Sequence, residues 1–66
     1  MPLNTRPNID DTDGFYQRLV ELHQDRSDEQ SRLINTCLIL LLANHIGESA
    51  VLEEAMRIAA ETADQP

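Results

Sequence analysis

LINTCLILLLA, residues 33–43, is the apolar run at the middle of a chain of 66 residues. Read as a helix, this run carries two apolar stripes. The main stripe comprises Leu33, Ile34, Cys37, Leu38 and Leu41. The second stripe repeats at i, i+3, i+4 and i+7 and comprises Ile39, Leu42, Ala43 and Ile46. A helix that is apolar on all sides must be buried on all sides. Since two short flanking helices can hardly cover both of its faces, we expect the second stripe to meet another chain.

The length of the chain limits its stability. A domain of about 60 residues buries only about 60% of its unfolded surface, and such domains usually add disulfides, a metal or oligomerisation. Cys37 is the only cysteine, so no disulfide can form within the chain. A structural zinc ion needs four ligands, mostly Cys and His, and the chain supplies Cys37, His23 and His45. We therefore expect no metal site, and oligomerisation or a larger partner is the remaining route to stability.

The composition is acidic. The formal net charge is −7, from 12 acidic and 5 basic residues, and the basic residues are all arginines. Because an acidic surface repels phosphate, we expect neither nucleic acid nor an anionic membrane as a partner. The N-terminus lacks the pattern of a secretory signal, and the apolar run is far shorter than the ~20 residues of a membrane span. Together with a single free cysteine, these features predict a cytoplasmic protein.

The predicted organisation is an extended arm over residues 1–10, one helical domain over residues 11–62 and a frayed tail over residues 63–66. Pro2 and Pro7 oppose helix formation in the arm. No strand or repeat pattern occurs in the sequence. The predicted fold is all-α, with three helices and a hydrophobic central helix, and we expect oligomerisation or a partner chain to complete it.

Capping signals predict where the first two helices begin and end. Asp11 or Thr12 can serve as the N-cap of the first helix, which is expected to end near Gln24. For the second helix, Ser27 and the glutamine three residues later match a capping box. That helix is expected to run to about His45 and to be ended by a glycine at position 47, which tolerates a positive φ.

The third helix is predicted to begin with Ser49 as its cap and to run to about Thr62. Glu53 and Arg57 stand at i, i+4 in the order that favours an ion pair. The expected apolar stripe of this helix comprises Val51, Leu52, Ala55, Met56 and Ala59. On the first helix, the only two aromatic residues of the chain, at positions 15 and 16, are expected to anchor it to the second.

Each candidate site has a simpler structural explanation. Ser27 invites comparison with the phosphopantetheine serine of small acidic carrier proteins, but the Asp-Ser-Leu string is missing and a helix cap is favoured. His45 and Glu48 lack a third metal ligand, so His45 is expected to interact with the helix C-terminus. Cys37 is expected to pack as a small hydrophobe. The joint at residues 44–49 has the form of a helix-turn-helix, but the acidic helix after it would face DNA phosphates.

The sequence shows no catalytic constellation. It has no nucleophile with a nearby base, no Gly-rich phosphate loop and no carboxylate pair suited to acid–base catalysis. We therefore predict no enzyme activity, no catalytic or cofactor-binding residue, no cofactor and no small-molecule substrate. The predicted site is instead a partner interface. It comprises Ile39, Leu42, Ala43, Ile46, Asn44 and His45.

Four strings carry a resemblance to a known family. They are LNTRPN at residues 3–8, FYQRL at residues 15–19, LLLANHIG at residues 40–47 and VLEEA at residues 51–55. They resemble a family of short uncharacterised bacterial helical proteins, domain of unknown function 2783, and ANHIG is the most specific part. The family implies no activity. Its genes often lie beside those of flavin-dependent hydroxylases of aromatic breakdown, which implies an accessory or partner protein.

Two function hypotheses result from this reading. The first is a non-catalytic protein–protein interaction module, either a homo-oligomer or a small accessory subunit of a larger protein such as a flavin-dependent hydroxylase. The second is an acidic helical regulator that binds a basic protein or a transcription factor. An apolar contact through the second stripe would resist salt, whereas an acidic contact would weaken steeply with salt. The acidic candidates are Asp28, Glu29, Glu53 and Glu54.

Overall fold

The computed structural model describes residues 2–66 and consists of three α-helices joined by short turns. Helix α1 spans Thr12–His23, α2 spans Asp28–Ile46 and α3 spans Ser49–Ala63. No strand occurs within the described range. The predicted all-α fold of three helices, with the longest and most apolar helix in the middle, is confirmed.

Helix α1 begins where a local capping bond predicts it. The side chain of Asp11 accepts a hydrogen bond from the backbone N–H of Gly14 at 3.0 Å, so Asp11 is the N-cap. At the other end, the guanidinium of Arg26 donates to the carbonyl of Leu22. Asp25 takes a positive φ of 59°, a conformation that Asp tolerates better than most residues. These contacts turn the chain sharply into α2.

Helix α2 carries both halves of the predicted capping box. Ser27 Oγ accepts from the N–H of Gln30 at 3.1 Å, and Gln30 Oε1 accepts from the N–H of Ser27 at 2.9 Å. The helix ends at Gly47, whose φ is +73° and whose N–H donates to the carbonyl of Ala43 at 2.8 Å. The predicted start and end of this helix are therefore confirmed.

Helix α3 corrects two predictions. Ser49 is not its cap but its first helical residue, and the N-cap position belongs to Glu48, with no side-chain capping bond. The reason is the short turn: Glu48 has the extended backbone of an N-cap, so the next residue is already helical. Arg57 pairs with Glu61 at 3.0 Å rather than with Glu53. Both members of that pair are exposed, so the pair contributes little.

Helices α2 and α3 make the most extensive contact between elements. The half-buried face of α3 centres on Val51, Ala55 and Ile58, which follow the spacing of one helix face. Met56 and Ala59, expected in the buried stripe, are exposed. The predicted stripe is therefore correct for Val51, Leu52 and Ala55 and wrong for Met56 and Ala59, since Ile58 is the half-buried residue in the following turn.

Helix α1 packs on α2 less tightly. Phe15, Leu19 and Leu22 line a shallow depression together with Leu38 of α2. Of the two aromatic residues expected to anchor α1, only Phe15 takes part in this contact, and Tyr16 is largely exposed. The arm before α1 contains no helix or strand over residues 2–11.

Within residues 2–66 no side chain is buried, so the three helices enclose no core. The accessible surface is 6107 Å², whereas a folded monomer of 7.5 kDa exposes about 4,250 Å². The radius of gyration is 13.6 Å, against about 10.8 Å for a compact domain of this length. The chain is therefore open, with about 1,900 Å² more surface than a folded monomer of its mass has.

Candidate interaction surface

The main stripe of α2 is largely open to solvent. Leu33 and Leu41 are 65% and 69% exposed, and Cys37 between them is exposed as well. Only Ile34 and Leu38 of this stripe are half-buried. The flanking helices, which were expected to leave one face of α2 uncovered, therefore leave most of the main stripe open as well. Helix α1, with 12 residues, covers the two residues that face it and leaves the rest of the stripe open.

The open part of the main stripe forms a groove with α1. Its lining consists of Leu22, Leu33, Ile34, Cys37, Leu38 and Leu41. A second shallow depression continues along α2 and is lined by Cys37, Leu40, Leu41 and Asn44. Because Cys37 and Leu41 border both, the two form one continuous apolar surface along most of α2. An exposed apolar surface of this kind marks a site of protein interaction.

The second stripe is also open. Ile39, Leu42 and Ile46 are each exposed over half or more of their surface, and Ala43 is half-buried. The six residues of the predicted interface do not all lie on the second stripe. Asn44 lies beside Leu40 in the depression of the main stripe rather than with the second stripe. His45 is exposed in the last turn of α2.

The candidate chemical sites take structural positions. Ser27 Oγ is engaged in the capping box, which is the role that its sequence context favoured over a carrier serine. Cys37 is exposed rather than packed in a core, so that expectation is wrong, and the cause is again the open main stripe. Across residues 2–66 no group of three or more His, Cys, Asp or Glu side chains could hold a metal ion.

One contact was missed by the sequence reasoning. Nδ1 of His23 and Oγ of Ser31 lie 2.9 Å apart in a partly buried hydrogen bond between the end of α1 and the start of α2. Both side chains are half-buried. The only signal in the sequence is a polar residue facing the apolar side of each helix, which on its own does not identify a partner eight positions away.

None of the three helices in the described part of the chain is long and apolar enough to cross a membrane. The fold and the surface together define a class of protein: a small all-α chain whose central helix is apolar and exposed. The chain belongs to the family described as "Protein of unknown function (DUF2783)", whose model matches residues 3–61. This match confirms the resemblance noted from the sequence. No curated protein and no solved structure matches the chain.

Proposed function

We propose that this protein is a non-catalytic interaction module that assembles with other protein through the apolar surface of α2. The observation that carries the proposal is the exposure of α2 on two sides in a chain that buries no side chain within residues 2–66. Net stabilities of folded domains are small. Because burial of apolar surface is the dominant favourable term in folding, this chain needs a partner to supply the missing contacts.

The two stripes of α2 suit two contacts. In this proposal one stripe holds the assembly of the small protein, and the other is available to a larger subunit. The family resemblance supports a flavin-dependent hydroxylase of aromatic breakdown as that larger subunit. The role of the small chain is then that of an accessory subunit, and the chemistry belongs to the enzyme that it binds.

The proposal is tested by placing a charge on both stripes of α2. The variant Leu40→Glu with Leu42→Glu inserts one carboxylate on each side of α2, because Leu40 lies beside Cys37 and Leu41 of the main stripe and Leu42 belongs to the second stripe. Burying an unpaired carboxylate costs several kcal/mol. We expect this variant to lose both assembly and helical melting cooperativity. Asn35→Glu is the control, because Asn35 is an exposed polar residue of the same helix. If the double variant and the control assemble and melt alike, α2 is not an interaction surface and the proposal is wrong.

The acidic composition, with its net charge of −7, favours a second proposal, an acidic helical regulator of a basic protein or transcription factor. Its weakness is the placement of the acids. Asp28 and Glu29 begin α2, whereas Glu53 and Glu54 belong to α3, which follows the other end of α2 in the chain. A helix of 19 residues separates its ends by about 27 Å, so these acids do not form one patch. A complex that dissociates steeply with added salt would favour this second proposal.

A further inference from the structure

We infer that the open side of the main stripe binds a second copy of this chain, with the two α2 helices packed antiparallel. This inference rests on the proposed function and names its first partner. The contact residues form a seam, defined as Leu33, Cys37, Leu40 and Asn44.

The spacing of the seam is that of a coiled coil. Successive seam residues are separated by four, three and four positions, which is the alternation of a and d positions in a heptad. Asn44 is the one polar member and lies at the C-terminal end of the seam. At either end, the next positions of the pattern are Gln30 and Gly47, so the seam stops where α2 is capped.

The seam has the same spacing in both chain directions, and a two-fold antiparallel contact requires a self-complementary surface. Reversing the helix pairs Leu33 with Asn44 of the second copy and Cys37 with Leu40 of the second copy. Each of the two identical chains then contributes the same surface, and every seam residue lies opposite a seam residue of the second copy.

Charge favours a second copy only if the acidic residues stay away from the contact. Between Arg32 and Glu48 the sequence contains no Asp, Glu, Lys or Arg, so the seam brings no like charges together. The orientation is set by the ends of α2. Its first turn carries Asp28 and Glu29 and its last turn carries His45. An antiparallel pair opposes the helix dipoles and separates the two acidic first turns, each of which then lies level with Glu48 of the second copy, whereas a parallel pair places the acidic first turns side by side.

The chain has apolar surface to spare for such a dimer. A standard interface buries about 800 Å² on each partner, and the 6107 Å² surface of the whole chain, arm and second stripe included, exceeds that of a folded monomer of its mass by about 1,900 Å². Leu22 and Leu41 flank the seam in the same groove and widen the contact beyond two isolated helices. The dimer therefore covers the main stripe and leaves the second stripe available to a larger subunit.

A pair of matched substitutions tests the seam in the full chain. Leu40 and Met56 are both 63% exposed, one on the seam and one on α3. We expect Leu40→Glu to convert the dimer to a monomer in sedimentation equilibrium at micromolar concentration, and Met56→Glu to remain dimeric. A dimer that survives Leu40→Glu overturns the inference while leaving the proposed function intact, because the chain then assembles through another surface of α2.

Crosslinking of the unmodified chain tests the register without any risk to folding. In the antiparallel register, the two copies of Cys37 are offset by three residues, about 4.5 Å along the helices. A short bismaleimide should therefore join them into a covalent dimer. With Cys37→Ala and Leu33→Cys, the two thiols are offset by eleven residues, about 16 Å, and the yield should fall at least tenfold. Equal yields, or no dimer through Cys37, would overturn the antiparallel register.

The unmodified chain distinguishes a failure of the dimer from a failure of the proposed function. If the unmodified chain is a monomer and melts without cooperativity, the dimer is wrong. The proposed function then requires a partner other than a second copy. A monomer that melts cooperatively and binds no hydrophobic dye overturns both. A dimer that responds to Leu40→Glu but not to Met56→Glu supports both.

Discussion

Nδ1 of His23 lies 2.9 Å from Oγ of Ser31, and this hydrogen bond joins the last residue of α1 to the first turn of α2. Within the described residues, no other side-chain hydrogen bond joins two helices. Because α1 and α2 share few apolar contacts, we consider the bond important for holding α1 against the groove.

Loss of this hydrogen bond should destabilise the chain. We expect Ser31→Ala to lower the free energy of unfolding by about 1 kcal/mol, the usual value of a net hydrogen bond. A double-mutant cycle with His23→Gln isolates the pair, and the second substitution should add little to the first. Ser49→Ala is the control, because Ser49 is exposed and its replacement should not lower the melting temperature. Strictly additive effects of the two substitutions would show that the pair is not coupled.

Two serines at helix starts should respond differently to alanine. Ser27 completes a capping box, and we expect Ser27→Ala to cost about 1 kcal/mol in chemical denaturation. Ser49 is the first helical residue of α3, and Ser49→Ala should be neutral or slightly stabilising, since alanine has the higher helix propensity. The reverse ranking of the two variants would contradict the assigned cap positions.

The end of α2 depends on a glycine conformation. Gly47 has a φ of +73°, and a Cβ at this position would lie 3.7 Å from the nearest carbonyl oxygen, so there is space for a side chain. The cost of Gly47→Ala is therefore conformational, about 1–2 kcal/mol for an L-residue in the left-handed region. Gly47→Asn should cost less, because asparagine tolerates this region. Thermal melts in which alanine is no worse than asparagine would be inconsistent with this explanation.

The second stripe can be tested alone. We expect Leu42→Glu to weaken binding of the larger subunit and to lower the stability of that complex, by several kcal/mol if the carboxylate is buried there without a partner, while the chain alone stays dimeric. Asn35→Glu, at an exposed position earlier on α2, should be tolerated. The comparison uses circular dichroism melting and sedimentation. If the two variants form complexes of equal stability, the second stripe is not part of the interface, and the seam is the only part of α2 that is.

Cys37 should behave as part of a contact rather than as a reactive site. Cys37→Ala removes one sulfur from the seam, and we expect a loss of about 1 kcal/mol, at the mild end of large-to-small core substitutions. This loss should appear at concentrations where the chain is associated and disappear in the monomeric Leu40→Glu background. An equal loss in both backgrounds would place Cys37 in the fold of the single chain.

The helix ends could be predicted from sequence because they depend on local chemistry. Asp11, Ser27 and Gly47 act within a few residues of their own position, and their signals do not depend on how the helices pack. The prediction that Ser49 caps α3 was wrong for a local reason too, because the turn before α3 contains only two residues. The all-α fold followed from these signals and from the absence of strand patterns.

Which face of each helix is covered was harder to predict than where the helix begins and ends. The apolar residues of α2 surround the helix, so the pattern alone does not tell which of them α1 and α3 cover. The sequence reasoning assigned Leu33, Cys37 and Leu41 to the covered side, whereas the structure leaves them open. Similarly, Ile58 rather than Met56 belongs to the packed side of α3. These choices depend on the length and crossing of neighbouring helices, which are tertiary properties.

The central claim is that the apolar surface of α2 requires a protein partner, and that a second copy supplies it. Sedimentation equilibrium of the unmodified chain, with melting temperatures measured over a hundredfold range of concentration, tests this most directly. We expect a species of twice the chain mass of 7.5 kDa and a melting temperature that rises with concentration, because association stabilises the folded state by mass action. A 7.5 kDa species that melts cooperatively at one temperature across the whole range would contradict the account.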